Sequence, residues 1–186
     1  MARCKSFIYT FLMLFLLSAA AVTASAQATS ESGVSSYALG SGDKIKITVF
    51  GEDDLSLETM LNDAGSFSYP FLGELSVKGK TVSELQNMII SGLKGPYLID
   101  PNVNVTIVEY RRFFVNGEVE SPGGFAFVPG LSLRKAVSMA GGFTDRASKS
   151  KFFIISDSSN SDEPELATLD TSIKPGDIIT IEESFF

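Results

Sequence analysis

Histidine and tryptophan are absent from the 186 residues, and cysteine occurs once, as Cys4. Without imidazole there is no Ser-His-Asp triad, no Cys-His pair and no histidine zinc site. Cys4 lies in a segment expected to be removed on maturation, which leaves no thiol chemistry, disulfide or iron–sulfur cluster in the mature chain. Basic charge is also scarce: 15 Lys and Arg stand against 22 Asp and Glu, a formal charge of −7. Nucleic-acid affinity rests on cations that neutralise phosphates, so this balance argues against such a partner. Hydrophobic residues (44%) and charged residues (20%) are in ordinary globular proportion. The length suits one domain or two small ones.

Long apolar runs are missing too, apart from one near the start. Arg3 and Lys5 precede the run Phe7–Leu17, and small residues follow, ending in Ala24-Ser25-Ala26. A basic region, a short apolar core and an A-x-A site make a secretory signal peptide, with cleavage expected between Ala26 and Gln27. The run is about 11 residues, short of the roughly 20 needed to span a bilayer as a helix. No Cys follows the small residues, so lipidation is not expected. Residues 27–36 read as a flexible polar leader.

What is present organises into two modules. In the first, Gly40, Gly42 and Asp43 make a turn ahead of Lys44–Phe50, where Ile45, Ile47 and Val49 alternate with polar residues as a half-buried strand. Leu57–Leu61 and Ser66–Tyr69 read as strands around a turn at residues 62–65. Thr81-Val82-Ser83-Glu84 is a capping box, and Val82, Leu85, Ile89 and Leu93 follow at helical spacing up to Gly95-Pro96. Asp100-Pro101 breaks the chain before an alternating strand, Val103–Ile107.

The second module opens with a strand at Phe113–Val119 carrying Gly117, and Ser121-Pro122-Gly123-Gly124 turns it. A short helix is predicted over Leu131–Ala140, with Ser132 as cap and Gly141-Gly142 as stop. Lys151–Ile155, Leu166–Leu169 and Ile178–Ile181 read as strands, and residues 157–163 as a loop. Gly176 and Asp177 repeat the turn chemistry of Gly42 and Asp43. The fold class expected is α+β, two small mixed modules, the second a sheet packed on one helix in a β-grasp plan.

The segments Tyr37-x-Leu39-Gly40-x-Gly42-Asp43-x-Ile45-x-Ile47-x-Val49-Phe50, Pro70-x-x-Gly73 and Asp100-Pro101-x-Val103-x-Val105 resemble the polysaccharide export domain. Val115-x-Gly117-x-Val119-x-x-Pro122-Gly123, Ala140-Gly141-Gly142-Phe143-Thr144 and Pro175-Gly176-Asp177 resemble the SLBB domain, a β-grasp module. Together these are similar to bacterial outer-membrane polysaccharide export proteins. The resemblance implies an export domain at 37–110, an SLBB domain at 111–183 and a tail at 184–186, behind a signal peptide at 1–26. It also implies a non-catalytic part of a capsule or exopolysaccharide conduit, located in the periplasm and associated with the outer membrane. That part works as a homo-oligomeric ring, with an inner-membrane copolymerase as partner and polysaccharide as cargo. Larger relatives carry several SLBB modules, a lipid-bearing Cys and a C-terminal helix. This sequence shows one such module and neither of the other features, which implies a short component that uses a separate outer-membrane partner. The alternative is a periplasmic ligand- or glycan-binding module.

No residue pattern supports catalysis, a metal or a cofactor. Asp43 and Asp177 are each expected to cap their own turn. Glu52-Asp53-Asp54 is expected to be a solvated loop, because it lacks the regular oxygen spacing and glycine of a calcium loop. Arg111-Arg112 falls where the modules meet and is expected to form an intrachain ion pair or a solvated edge; contact with an acidic glycan or a neighbouring subunit is the sharper option. Adjacent Phe pairs at 113–114 and 152–153 put rings on both faces of their strands, so one ring of each pair needs cover beyond the core; an interface is the expectation.

Overall fold

A computed structural model describes residues 37–157 and 163–184. The expected signal peptide with its cleavage at Ala26 and Gln27, the leader, much of the 157–163 loop and the last two residues lie outside the described residues.

Alternating apolar residues build the first sheet. Strand β1 (Lys44–Val49) buries Ile45, Ile47 and Val49. It pairs antiparallel with β2 (Leu57–Met60) on one side and β5 (Val103–Glu109) on the other. Helix α1 (Val82–Leu93) packs on β5 through Leu85, Ile89 and Leu93. Each such side chain contributes about 1.5–3 kcal/mol by leaving water. The capping box forms: Thr81 Oγ1 accepts from the Glu84 amide, and the Glu84 carboxylate accepts from the Thr81 amide at 2.7 Å.

Strand β3 (Ser66–Tyr69) does not join this sheet. It pairs with β4 (Gly73–Ser76) in a separate hairpin, a strand the alternation pattern does not mark because β4 is largely exposed. The hairpin is anchored by Tyr69, whose buried hydroxyl donates to the Leu55 carbonyl at 2.8 Å. At its tip Phe71 takes φ +63°, and its exposed ring stacks on Tyr97 at 4.8 Å.

The second sheet has the order β7-β6-β10-β8-β9, built from β6 (Phe113–Gly117), β7 (Gly123–Phe125), β8 (Ala147–Ile155), β9 (Glu165–Ala167) and β10 (Ile178–Glu183). β10, the last of these five in chain order, runs parallel to β6 and antiparallel to β8. Helix α2 (Leu133–Met139) supplies Leu133, Ala136 and Val137 to the core beneath it. α2 is shorter than expected. Leu131 is held in extended pairing, its carbonyl accepting from the Ile173 amide. Ser132 makes no side-chain cap. The Leu133 and Arg134 amides are satisfied by the carbonyls of Thr171 and Leu169 instead, so a neighbouring loop does the work of a cap. Gly141 and Gly142, at φ +86° and +99°, end the helix as expected. The two modules have separate hydrophobic cores, yet the described residues form one compact unit.

Candidate functional site

The two Gly-Asp turns have the same internal chemistry. Asp43 Oδ2 accepts from the Gly40 amide at 2.8 Å, and Asp177 Oδ2 accepts from the Lys174 amide at 2.8 Å, each reaching three residues back. Gly42 and Gly176 sit at φ +85° and +89°, where a side chain is strained. Gly40 serves a different need. A Cβ there would stand 2.5 Å from Nη1 of Arg111, so this glycine leaves room for a guanidinium.

Arg111 lies between the two turns, bonded to the first and to Asp157 and packed against the second. Its Nη1 lies 3.1 Å from Asp43 Oδ2, and its backbone amide donates to Asp43 Oδ1 at 2.8 Å. Nη1 also donates to the Tyr37 hydroxyl at 2.6 Å, and Nη2 meets Asp157 at 2.8 Å. A Cβ on Gly176 would approach Arg111 Nε to 2.8 Å, so the second turn closes on the guanidinium from the other module. Asp43 is fully buried, and the Arg111 side chain is 15% exposed. A buried pair of this kind gives little net stability but is costly to break, because the survivor is left buried and unpaired. Burial and the hydrogen bond to Asp43 push the Tyr37 hydroxyl well above its ordinary range, so it remains protonated and donates. Burial likewise raises the Asp177 carboxyl; hydrogen bonds from the Lys174 amide, the Ser156 side chain and the Asp157 amide oppose that shift.

Aromatic rings reinforce the junction. Tyr37 meets Tyr110 edge-on at 5.0 Å, and Tyr110 meets Phe127 at 5.4 Å. Around the tie lies a groove of about 740 Å³, lined by Ser41, Lys78, Arg112, Phe114 and Asp157 besides Arg111 and the glycine turns. Of the Arg111-Arg112 pair, the first is an intrachain ion pair and the second is an exposed groove cation. Phe113 is fully buried while Phe114 is 45% exposed and faces the groove. Phe152 is buried and Phe153 half-buried.

The other motif residues are placed elsewhere. Asp100 is exposed at 3.9 Å from Lys94, and Pro101 is buried where the chain enters β5. Gly117, at φ +85°, ends β6; a Cβ there would collide with the Ile181 carbonyl oxygen. Pro122 is exposed in the turn before Gly123, which starts β7. The residues that sequence reasoning missed are Lys78 and Phe114 as groove walls. The signal for the Arg111 tie was the place of Arg111-Arg112 where the modules meet, read as an intrachain ion pair; its partners Asp43 and Asp157 were not marked. Among the described residues there is no cluster of three or more His, Cys, Asp or Glu able to hold a metal, and no helix long and apolar enough to cross a membrane.

Comparison with known proteins gives two family matches. Residues 31–108 match the family described as polysaccharide biosynthesis/export protein, and residues 112–165 match the SLBB domain. The exopolysaccharide production protein ExoF of Rhizobium meliloti (strain 1021) is 32% identical over 146 residues, covering 71% of this chain and 33% of that protein. The EPS I polysaccharide export outer membrane protein EpsA of Ralstonia nicotianae is 29% identical over 133 residues, 57% of this chain and 34% of EpsA. The polysialic acid transport protein KpsD of Escherichia coli is 27% identical over 108 residues, 57% of this chain and 19% of KpsD. The chain spans about a third or less of the length of these relatives.

Proposed function

The chain belongs to the polysaccharide biosynthesis/export protein family, with the export domain followed by an SLBB domain, and from that premise we propose that it is a non-catalytic component of a conduit that carries capsular or extracellular polysaccharide out of the cell. The reading places an export domain at 37–110 and an SLBB domain at 111–183, behind a signal peptide ending at Ala26 and a leader at 27–36, with a tail at 184–186. The site is the periplasm, in association with the outer membrane; EpsA, one of the relatives, is named an outer-membrane export protein.

The observation that carries the mechanism is the Arg111 tie between the modules. A ring is closed by one contact repeated at a constant rotation. A subunit that hinged between its modules would scatter that rotation. Binding the first Gly-Asp turn and Asp157 of the second module to one guanidinium, with Gly176 packed against it, favours a stiff wedge, the shape that closes. An inner-membrane copolymerase feeds such a ring, and a separate outer-membrane partner receives the polymer. Deleting the gene is expected to cut surface and released polysaccharide, with recovery on complementation, and native mass spectrometry of the purified chain is expected to show a closed oligomer. Normal polymer output in the deletion strain sinks the export reading.

The second reading is a glycan-binding module, favoured by a groove with exposed cations and a half-exposed ring. Saturable binding of a defined oligosaccharide to the monomer distinguishes it from a passive ring segment.

A further inference from the structure

We propose that the junction groove is a subsite for a carboxylate-bearing sugar unit, held by Arg112 and Lys78 and stacked on Phe114. The ligand class rests on the export reading; the site itself rests on the groove.

Charge separates the groove from the rest of the molecule. The chain carries −7 overall, yet among the described residues three cations line this one surface against a single acid, Asp157. Arg111 is committed to Asp43 and Asp157. Lys78 and Arg112 are exposed and have no ion pair or side-chain hydrogen bond among the described residues. Two uncompensated cations in a concave wall focus a positive field on an otherwise acidic protein. A guanidinium takes a carboxylate through two parallel N–H donors, and an ammonium adds a movable point charge.

The ring beside them is placed, not merely left over. Phe114 stands on β6, opposite Gly124 on β7, and a Cβ at that glycine would meet the ring at 2.9 Å. Glycine at 124 therefore lets the ring lie against the sheet with its remaining surface toward the groove. A pyranose offers a flat face of C–H bonds that packs on an aromatic ring, and Ser41 adds a hydroxyl. The volume, about 740 Å³, lies within the roughly 300–1,000 Å³ of ordinary ligand sites and accommodates a short stretch of polymer. A neutral sugar engages the ring alone, and an acidic peptide engages the cations alone. An acidic sugar uses both.

The test is isothermal titration of the full chain with tetragalacturonate, maltotetraose and tetraglutamate at low and moderate salt. Tetragalacturonate is expected to bind about tenfold more tightly than either control, and to weaken as salt rises. Arg112→Gln and Lys78→Gln, both at exposed positions, are each expected to reduce its affinity about five- to tenfold with an unchanged melting temperature. Phe114→Leu is expected to weaken tetragalacturonate and leave tetraglutamate unaffected. Equal affinity for all three probes, no binding of tetragalacturonate, or binding indifferent to both cation substitutions overturns the assignment, whether or not the gene proves necessary for export. Binding with the expected pattern in a chain whose deletion leaves export intact keeps the subsite and overturns the export reading alone.

Discussion

At the scale of the residue, one arginine organises the junction. Arg111 lies 68 positions from Asp43 and is enclosed by Gly40 and Gly176, one from each module. Asp43→Ala removes the acceptor for Tyr37, for the Gly40 amide and for two Arg111 donors at once. The expected cost is about 3–5 kcal/mol, read as a fall of roughly 10 °C or more in the melting temperature by scanning fluorimetry. Gly40→Ala displaces the same guanidinium sterically and is expected to cost about 1–3 kcal/mol. Gly117→Ala meets both a positive φ and a carbonyl oxygen of β10, and is expected to cost about 3 kcal/mol or more. A Gly117→Ala protein that melts like wild type contradicts the geometry. The turn role of Gly42, Asp43, Gly176 and Asp177 was legible, because positive-φ glycine and short acidic caps are local chemistry. The reason for Gly40 was not, since the atom it makes room for arrives from distant sequence.

At the scale of the element, alternation and capping carried most of the reading. β1, β3, α1 and β5 fall where period-two and helical spacing place them, because each buries a regular face. β4 and β7 lack such a face, and β7 begins with two glycines, so pattern alone could not show them. The start of α2 depended on the 169–171 loop, a tertiary partner. The α1 cap also has a pH signature. The Thr81 amide and then its hydroxyl hold the Glu84 carboxyl below its ordinary value of 4.5, so its contribution is present above about pH 4.5 and is lost as pH falls through the lowered value. Glu118, bonded by Thr144 and then Arg146, behaves in the same sense. Asp177 acts oppositely: its raised carboxyl takes a proton first in the folded state, so its burial cost disappears in acid. Urea unfolding is expected to show Glu84→Gln less stable than wild type at pH 7, with the gap closing toward pH 3. A gap constant across that range would mean that the Glu84 charge plays no part in the cap.

At the scale of the whole molecule, two cores share one unit but not one sheet. The first sheet is complete at residue 109 and the second needs β10. A chain truncated before Ile178 is therefore expected to lose the second module. Limited proteolysis with mass readout is expected to leave a protected fragment ending near residue 112. Protection extending to residue 155 in the truncated chain would show that β6 and β8 do not depend on the strand between them. β10 is the keystone of its sheet, and of that sheet's strands it is the last to be delivered as the chain emerges. Until it arrives, β6 and β8 expose raw edges that a neighbouring copy's β10 could fill. For as long as residues 178–183 are still in transit, the chain is open to strand exchange with any neighbouring copy, and seating β10 between β6 and β8 closes that window.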